Sequence, residues 1–323
     1  MQSKAKSTVG NLFRKNLTVY FAFFAIFVFF SIYLGSTFLS FNNILNITRQ
    51  TAMISVMAIG MTFVIGSGMI DLSVGSITAL SAMITALVLR ETNSILLALT
   101  AGLLLGTGVG AANGMLVTKT KIPAFLTTLG TMQVIRGLAM RTTNMQSVPI
   151  QNQTFNSTFG IGNIGGIPVL LFWTVLIALI GYFLLNRISF GRHVLSTGGN
   201  EAAARFSGIN TDWVKIKVMM LSGTLAAFAG ILYAARLQAG RHTFGEGDEL
   251  SVIAAVILGG TSIAGGNGSI LGAIIGSVLM GMINNGLILA GLPVADQTII
   301  RGAIIILATA LTNRAEIKKA LKR

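Results

Sequence analysis

From Leu17 to Leu39 the chain runs without a charged side chain, and long apolar runs recur to its far end. A helix that spans a bilayer needs roughly 20 apolar residues. Only 10% of the 323 residues are charged and 53% are hydrophobic. A water-soluble domain carries about 25% charged residues, so this chain cannot clothe an ordinary water-facing surface. The fold class that follows is all-α: a polytopic integral membrane protein. The chain has no cysteine, which excludes disulfides, thiolate catalysis and cysteine-held metals. Its two histidines, His193 and His242, lie far apart in sequence and do not suggest a metal centre. The net charge of +14 reads as basic loops on one side of a membrane rather than as a nucleic-acid footprint.

Ten spans are expected, at 17–40, 44–66, 75–90, 94–117, 122–142, 168–187, 216–237, 250–264, 269–290 and 296–312, the third and eighth being short. Lys4, Lys6, Arg14 and Lys15 precede the first run. Positive charge also opens signal peptides, but this run is too long for one, and a retained first helix starting in the cytoplasm is the reading. Loops after even-numbered spans then hold Lys119 and Lys121, Arg187, Arg192, Arg205, Lys215 and Lys217, and the tail Arg314, Lys318, Lys319, Lys322 and Arg323. The loop 142–167, expected outside, has no charge, and the next outside loop carries Glu246, Asp248 and Glu249. This bias places both termini in the cytoplasm. The whole chain, 1–323, reads as a single transmembrane domain with a cytoplasmic loop at 188–214.

The 38 glycines are patterned. Gly102, Gly106, Gly110 and Gly114 share one face of the fourth span, and Gly268, Gly272 and Gly276 repeat the spacing in the ninth. Small residues let helices approach in lipid, so these read as packing positions. Two glycine-rich interruptions differ. One covers residues 66–77 and includes Gly68, Asp71, Ser73 and Gly75; the other covers 259–270 and includes Gly265 and Gly266. Both end in Gly-Ser-Ile, and a shift of 193 residues also pairs Gly66 with Gly259 and Ile70 with Ile263. Broken helices paired across two halves of a chain point to an internal repeat around a central pathway, in parallel or inverted orientation.

Asp71 is the acid closest to an apolar span, and two readings stand open for it. A charge at membrane depth usually serves a pathway or gate, whereas a carboxylate before Ser73 can also cap the helix that restarts there. Asn113, Asn284 and Asn285 are the neutral polar candidates, either for the pathway or for hydrogen bonds between helices. Arg136 and Arg301 either snorkel or line a wet cavity. No Gly-Lys dipeptide occurs, so a phosphate-binding P-loop is absent. No nucleophile stands beside a base, and no set of intramembrane carboxylates suggests proton or sodium coupling. Energy for accumulation would enter through a partner.

The loop between residues 186 and 214 offers a place for that partner. Asn200 can cap a short helix opened by Glu201, favoured by Ala202, Ala203 and Ala204 and stopped at Gly208. Glu201 and Arg205 stand four apart and can pair on one face, with Phe206 as an apolar anchor; the plain alternative is a surface helix joining two spans. His193 reads as an ordinary solvated side chain.

Glu201-Ala202-Ala203, closed by a glycine, resembles the cytoplasmic motif of ATP-binding-cassette importer permeases. The blocks Gly68-Met69-Ile70-Asp71-Leu72-Ser73-Val74-Gly75-Ser76, Gly198-Gly199-Asn200-Glu201-Ala202-Ala203 and 258–266 are similar to those of ribose-type sugar permeases. Ile122-Pro123-Ala124-Phe125 and Thr128-Leu129-Gly130-Thr131-Met132, with Arg136-Gly137, fit the same family and order. The resemblance implies a permease subunit in a bacterial inner membrane, not an enzyme, with no cofactor of its own. It implies a cytoplasmic ATPase subunit or fused tandem ATPase that binds ATP and magnesium, a second permease copy or paralogue, and an extracytoplasmic sugar-binding protein. It casts Gly199, Asn200, Glu201, Ala202, Ala203, Arg205, Phe206 and Gly208 as the ATPase contact. Two positions depart from the family: Gly208 lies seven residues after Glu201 rather than six, and Met69 stands where a glycine is common. A self-sufficient transporter or channel and a membrane enzyme are the alternatives, and the solute is open among pentoses, hexoses, inositol and nucleosides.

Overall fold

The computed structural model describes residues 17–320; the expectations for Lys4, Lys6, Arg14, Lys15, Lys322 and Arg323 fall outside that range. Helix α1 (Leu17–Leu34) breaks at Gly35, where φ is +57°, and a single turn, α2 (Ser36–Leu39), follows. The long helices are α3 (Phe41–Gly66), α4 (Val74–Thr92), α5 (Ile95–Thr120) and α6 (Ala124–Thr142). A long loop then carries strand β1 (Val148–Pro149), the turn α7 (Gln153–Asn156), a π-helical turn at Ser157–Ile161 and the hairpin β2 (Asn163–Ile164) with β3 (Ile167–Pro168). Next come α8 (Val169–Asn186), α9 (Ser189–Gly199), α10 (Glu201–Phe206) and α11 (Thr211–Leu237). Strand β4 (Ala239–Gly240), α12 (Asp248–Leu258), α13 (Ile270–Leu289) and α14 (Val294–Ala320) complete the described chain.

Local chemistry sets these boundaries. The side chains of Ser40, Ser94, Asn210 and Ser269 each accept from a backbone N–H in the first turn of α3, α5, α11 and α13. Lys121, in the left-handed region at φ +60°, ends α5, and Pro123, which lacks an N–H, stands just before α6. The core is centred on α3, whose Met53, Met57, Met61 and Phe63 are fully buried, and which packs against α8, α11, α12 and α13.

Six of these helices are long and apolar enough to cross a membrane: α3, α4, α5, α8, α11 and α13. Ten spans were expected, and that count is not reproduced. The expected eighth span, 250–264, is an 11-residue helix ending at Leu258. At 1.5 Å per residue it is about 16 Å long, half a bilayer, because Gly259 and Gly260 stop it. The expected short third span is instead a full helix of 19 residues. Gly268, read as part of the ninth span, lies two residues ahead of α13.

The glycine stripe of α5 faces α11 and α4. A Cβ on Gly106 would strike the Gly223 carbonyl, and one on Gly110 would strike that of Met219. At Gly114 it would lie 2.7 Å from the Ile216 Cα, and at Gly102 the same distance from Thr85 Oγ1. The two helices therefore meet backbone to backbone, with Thr107 and Thr224 hydroxyls bonded at 2.7 Å beside the contact. Gly110→Leu should lower the melting temperature and yield of the purified chain, since overpacking costs about 1–3 kcal/mol where the neighbours can shift and more where they are backbone. Parent-like melting would show that α5 and α11 do not pack in this way.

Candidate functional site

Three segments converge under α10. Gly198, at the end of α9, presses on Gly66 and Ser67 from the first break and on Gly266 from the second; a Cβ there would lie 2.8 Å from the Ser67 carbonyl carbon and 2.9 Å from the Gly266 nitrogen. Gly265 and Gly266 both have positive φ, +80° and +74°, and a Cβ on Gly266 would sit 2.7 Å from the Gly199 Cα. The two breaks are also joined directly, Gly266 N–H donating to the Gly66 carbonyl at 3.0 Å. Only glycine permits backbones this close at these φ values.

The breaks share a local design. After α3, Gly68 N–H bonds Ile65 O and Met69 N–H bonds Val64 O; after α12, Gly260 N–H bonds Ile257 O and Thr261 N–H bonds Val256 O. The glycine in each pair takes a positive φ, +81° and +86°. These endings stand 192 residues apart, while the Gly-Ser-Ile triplets that close the breaks stand 193 apart. Met69 is buried beside this helix ending. The second break is the longer, and its extra residues include Gly265 and Gly266.

Beyond Gly68 the first break dives into the bundle, where Asp71 is fully buried. Its Oδ1 accepts from Ser73 N–H at 2.9 Å and Ser73 Oγ at 2.6 Å, and its Oδ2 accepts from Ser222 Oγ of α11 at 2.8 Å. Asn113 of α5 donates from Nδ2 to Ser73 Oγ at 3.0 Å, and Thr131 of α6 donates to Asn113 Oδ1 at 2.7 Å. Thr128 accepts from Leu72 N–H at 3.0 Å. A lone carboxylate thus ties α4, α5, α6 and α11 into one hydrogen-bonded chain. Ser222 lies eleven residues into α11, about 16 Å from its start, so the network sits at membrane depth. Asp71 thus accepts the N–H of Ser73, the residue just ahead of α4, and its bond to Ser222 attaches it to α11 as well.

The helix α10 forms as its residues dictate. Asn200 Oδ1 accepts from Ala203 N–H at 3.0 Å, and Gly208, at φ +83°, ends it with Gly208 N–H on Arg205 O and Ile209 N–H on Ala204 O. Glu201 and Arg205 bond at 3.1 Å, yet both also turn toward α11. Glu201 accepts from Lys215 Nζ at 2.7 Å and Thr211 Oγ1 at 3.1 Å, and Arg205 pairs with Asp212. Partial burial pushes the Glu201 carboxyl up, but the bonds from Lys215 and Arg205 outweigh it and hold the group below the usual carboxylate range. The pair therefore fastens α10 to α11, while Phe206 projects with 93% of its surface exposed. His193 is exposed.

Other sequence candidates are elsewhere. Asn284 and Asn285 stand fifteen and sixteen residues up α13 from Ser269, about 22 Å away from the breaks. Asn285 donates to Asn43 Oδ1 at 2.9 Å. Arg301 bonds Gln297 O and Thr298 Oγ1 within its own helix, each at 3.3 Å. Gly75 touches Gly245 and Glu249, and Arg136 donates to the carbonyls of His242 and Phe244. The acids Glu246, Asp248 and Glu249, expected in an outer loop, belong to a segment that folds back along α4. Ser222 was missed, since a single hydroxyl in an apolar helix has no periodic signature, although Ser222-Gly223-Thr224 is a polar interruption in α11; Thr131 stood in a family-like block without a role of its own.

The sequence profile described as "Branched-chain amino acid transport system / permease component" matches residues 43–309. The chain is 41% identical over 286 residues to the "Ribose import permease protein RbsC" of Escherichia coli (strain K12), covering 88% of this chain and 89% of that protein. It is 41% identical over 282 residues to the protein of the same name from Bacillus subtilis (strain 168), covering 87% and 88%. The "L-arabinose transport system permease protein AraH" of Escherichia coli (strain K12) is 37% identical over 271 residues, covering 84% and 82%. No solved structure matches. With a profile spanning most of its length and both glycine breaks inside the matched region, the chain belongs to this family of transport permease components and is similar to its ribose-type sugar import permeases.

Proposed function

We propose that the chain forms the translocation pathway of an ATP-driven importer for ribose or a similar small sugar, handed over by an extracytoplasmic binding protein. ATP and magnesium belong to a separate ATPase, and a second permease copy or paralogue completes the pathway across the inner membrane. The α10 end then faces the cytoplasm, and the long loop 142–167 faces the binding protein. A polar cavity of about 650 Å³, lined by Arg90, Asn93, Asn152 and Gln153 among others, opens at that loop.

The observation that carries this reading is the glycine junction. An exposed short helix is rooted, through Gly198 and Gly199, on both breaks of the bundle, so a force on α10 reaches the membrane-depth network directly. The arrangement supplies what the chain lacks in itself, an energy input. Phe206 is the exposed anchor that a partner groove would bury, and truncating such anchors costs 2 kcal/mol or more. Phe206→Ala should therefore weaken copurification with the ATPase about tenfold or more, and Arg205→Ala, one of an exposed pair, should matter less. Parent-like copurification by Phe206→Ala would remove α10 as the docking element.

A further inference from the structure

Segment 241–247 has a course that the importer reading alone does not explain. Strand β4 pairs with β1 of the long loop, Gly240 opposite Val148, and Gly240 rests on Ala82, Met83 and Ala86 of α4. Five residues later Gly245 rests on Gly75, at the start of the same helix; a Cβ on Gly245 would lie 2.6 Å from the Gly75 carbonyl oxygen. The segment has therefore descended about 12 Å along α4, from the level of Met83 to that of Gly75. Such non-helical backbone at membrane depth is tolerated only where protein satisfies it or it lines a wet cavity.

Arg136 of α6 supplies that satisfaction. One guanidinium nitrogen, Nη1, donates to both His242 O and Phe244 O, the second at 2.9 Å. Phe244 is buried and stacks on Tyr233 of α11 with ring centroids 5.4 Å apart. Tyr233 in turn donates to Asp248 Oδ2 at 2.7 Å. Gly245 and Gly247 take φ of +68° and +79°, so the segment bends at glycines on either side of Glu246. Its contact with α4 at Gly75 is largely backbone on backbone, a surface that can slide.

The first break links this segment to α10. Gly66 and Ser67 carry Gly198 at one end, Asp71 is pinned to Ser222 in the middle, and Gly75 bears on Gly245 at the other end. We propose that Arg136 positions segment 241–247 as a gate at the long-loop end of the pathway, and that the Gly66–Gly75 connector moves it when α10 moves. The proposal rests on the importer reading. Arg136 is a positioning residue here: it fixes the segment through two carbonyls, and no contact with solute is required of it.

The chain's lack of cysteine makes site-directed spin labelling clean. The test places labels at Thr243→Cys, on the segment, and Thr142→Cys, at the end of α6, in the importer reconstituted with its ATPase and binding protein. The distance distribution should shift between the nucleotide-free and ATP-trapped states. Arg136→Gln should broaden it in both states, Arg136→Lys should restore a narrow one, and Gly198→Val should abolish the nucleotide-dependent shift. A labelled importer that takes up sugar while its distribution stays the same in both states overturns the gate and leaves the importer reading standing. A chain that takes up nothing with its partners overturns the importer reading itself. Arg136→Gln with a parent-like narrow distribution overturns the role given to Arg136, whatever its effect on yield.

Discussion

Asp71→Ala should lower sugar uptake by more than tenfold and the melting temperature of the purified chain with it. The substitution removes the acceptor of three hydrogen bonds, from Ser73 N–H, Ser73 Oγ and Ser222 Oγ, inside a fully buried site. Each such hydrogen bond contributes about 0.5–1.5 kcal/mol, and each buried donor left without a partner costs about 1–3 kcal/mol more. A total loss of roughly 3 kcal/mol or more is expected. Asp71→Asn separates charge from geometry. Its oxygen can still accept from Ser73, and its amide can donate to Ser222 once that hydroxyl rotates. The account predicts that Asp71→Asn keeps uptake within a few-fold of the parent, because the carboxylate serves as a pin between the break and α11. Loss of uptake in a well-folded Asp71→Asn protein would instead require the charge itself.

Gly198→Val should produce the opposite separation, assembly without work. A Cβ at Gly198 collides with the Gly66 carbonyl and crowds Ser67 and Gly266, so the root of α10 must move away from both breaks. Phe206 and the Glu201 network lie on the far side of Asn200 and are not touched by it. Binding of the ATPase should stay within about twofold, while the stimulation of ATP hydrolysis by sugar-loaded binding protein falls by tenfold or more. A Gly198→Val chain that is stimulated like the parent would disconnect α10 from the breaks.

Much of this site is legible in the residues themselves. The four-residue glycine spacing in α5 marks a close helix contact because one turn returns the same face. The cap at Asn200 and the stop at Gly208 announce helix ends because short polar side chains and glycine do chemistry there that other residues cannot. What remained hidden is tertiary. Nothing local in Gly198-Gly199 says that it touches two other glycine breaks, and nothing near Glu246, Asp248 and Glu249 says that the chain there runs back along α4 instead of across an outer surface. Their charges suggested water, but Arg136 and Tyr233, more than 100 residues and 15 residues away, are what hold that segment. The two breaks share no single offset for the same reason: Gly-Ser-Ile recurs at 193 residues, while the helix endings marked by the positive-φ glycines Gly68 and Gly260 recur at 192.

The central claim is that the chain is a pathway whose energy enters from a partner at α10. Liposomes holding this chain, with and without its ATPase, loaded with ATP inside and supplied with binding protein and labelled ribose outside, test it most directly. The account predicts uptake against the gradient only when the ATPase, ATP and the binding protein are all present, and none from the chain alone under a proton or sodium gradient. Accumulation by the chain alone, driven by either ion gradient, would contradict it.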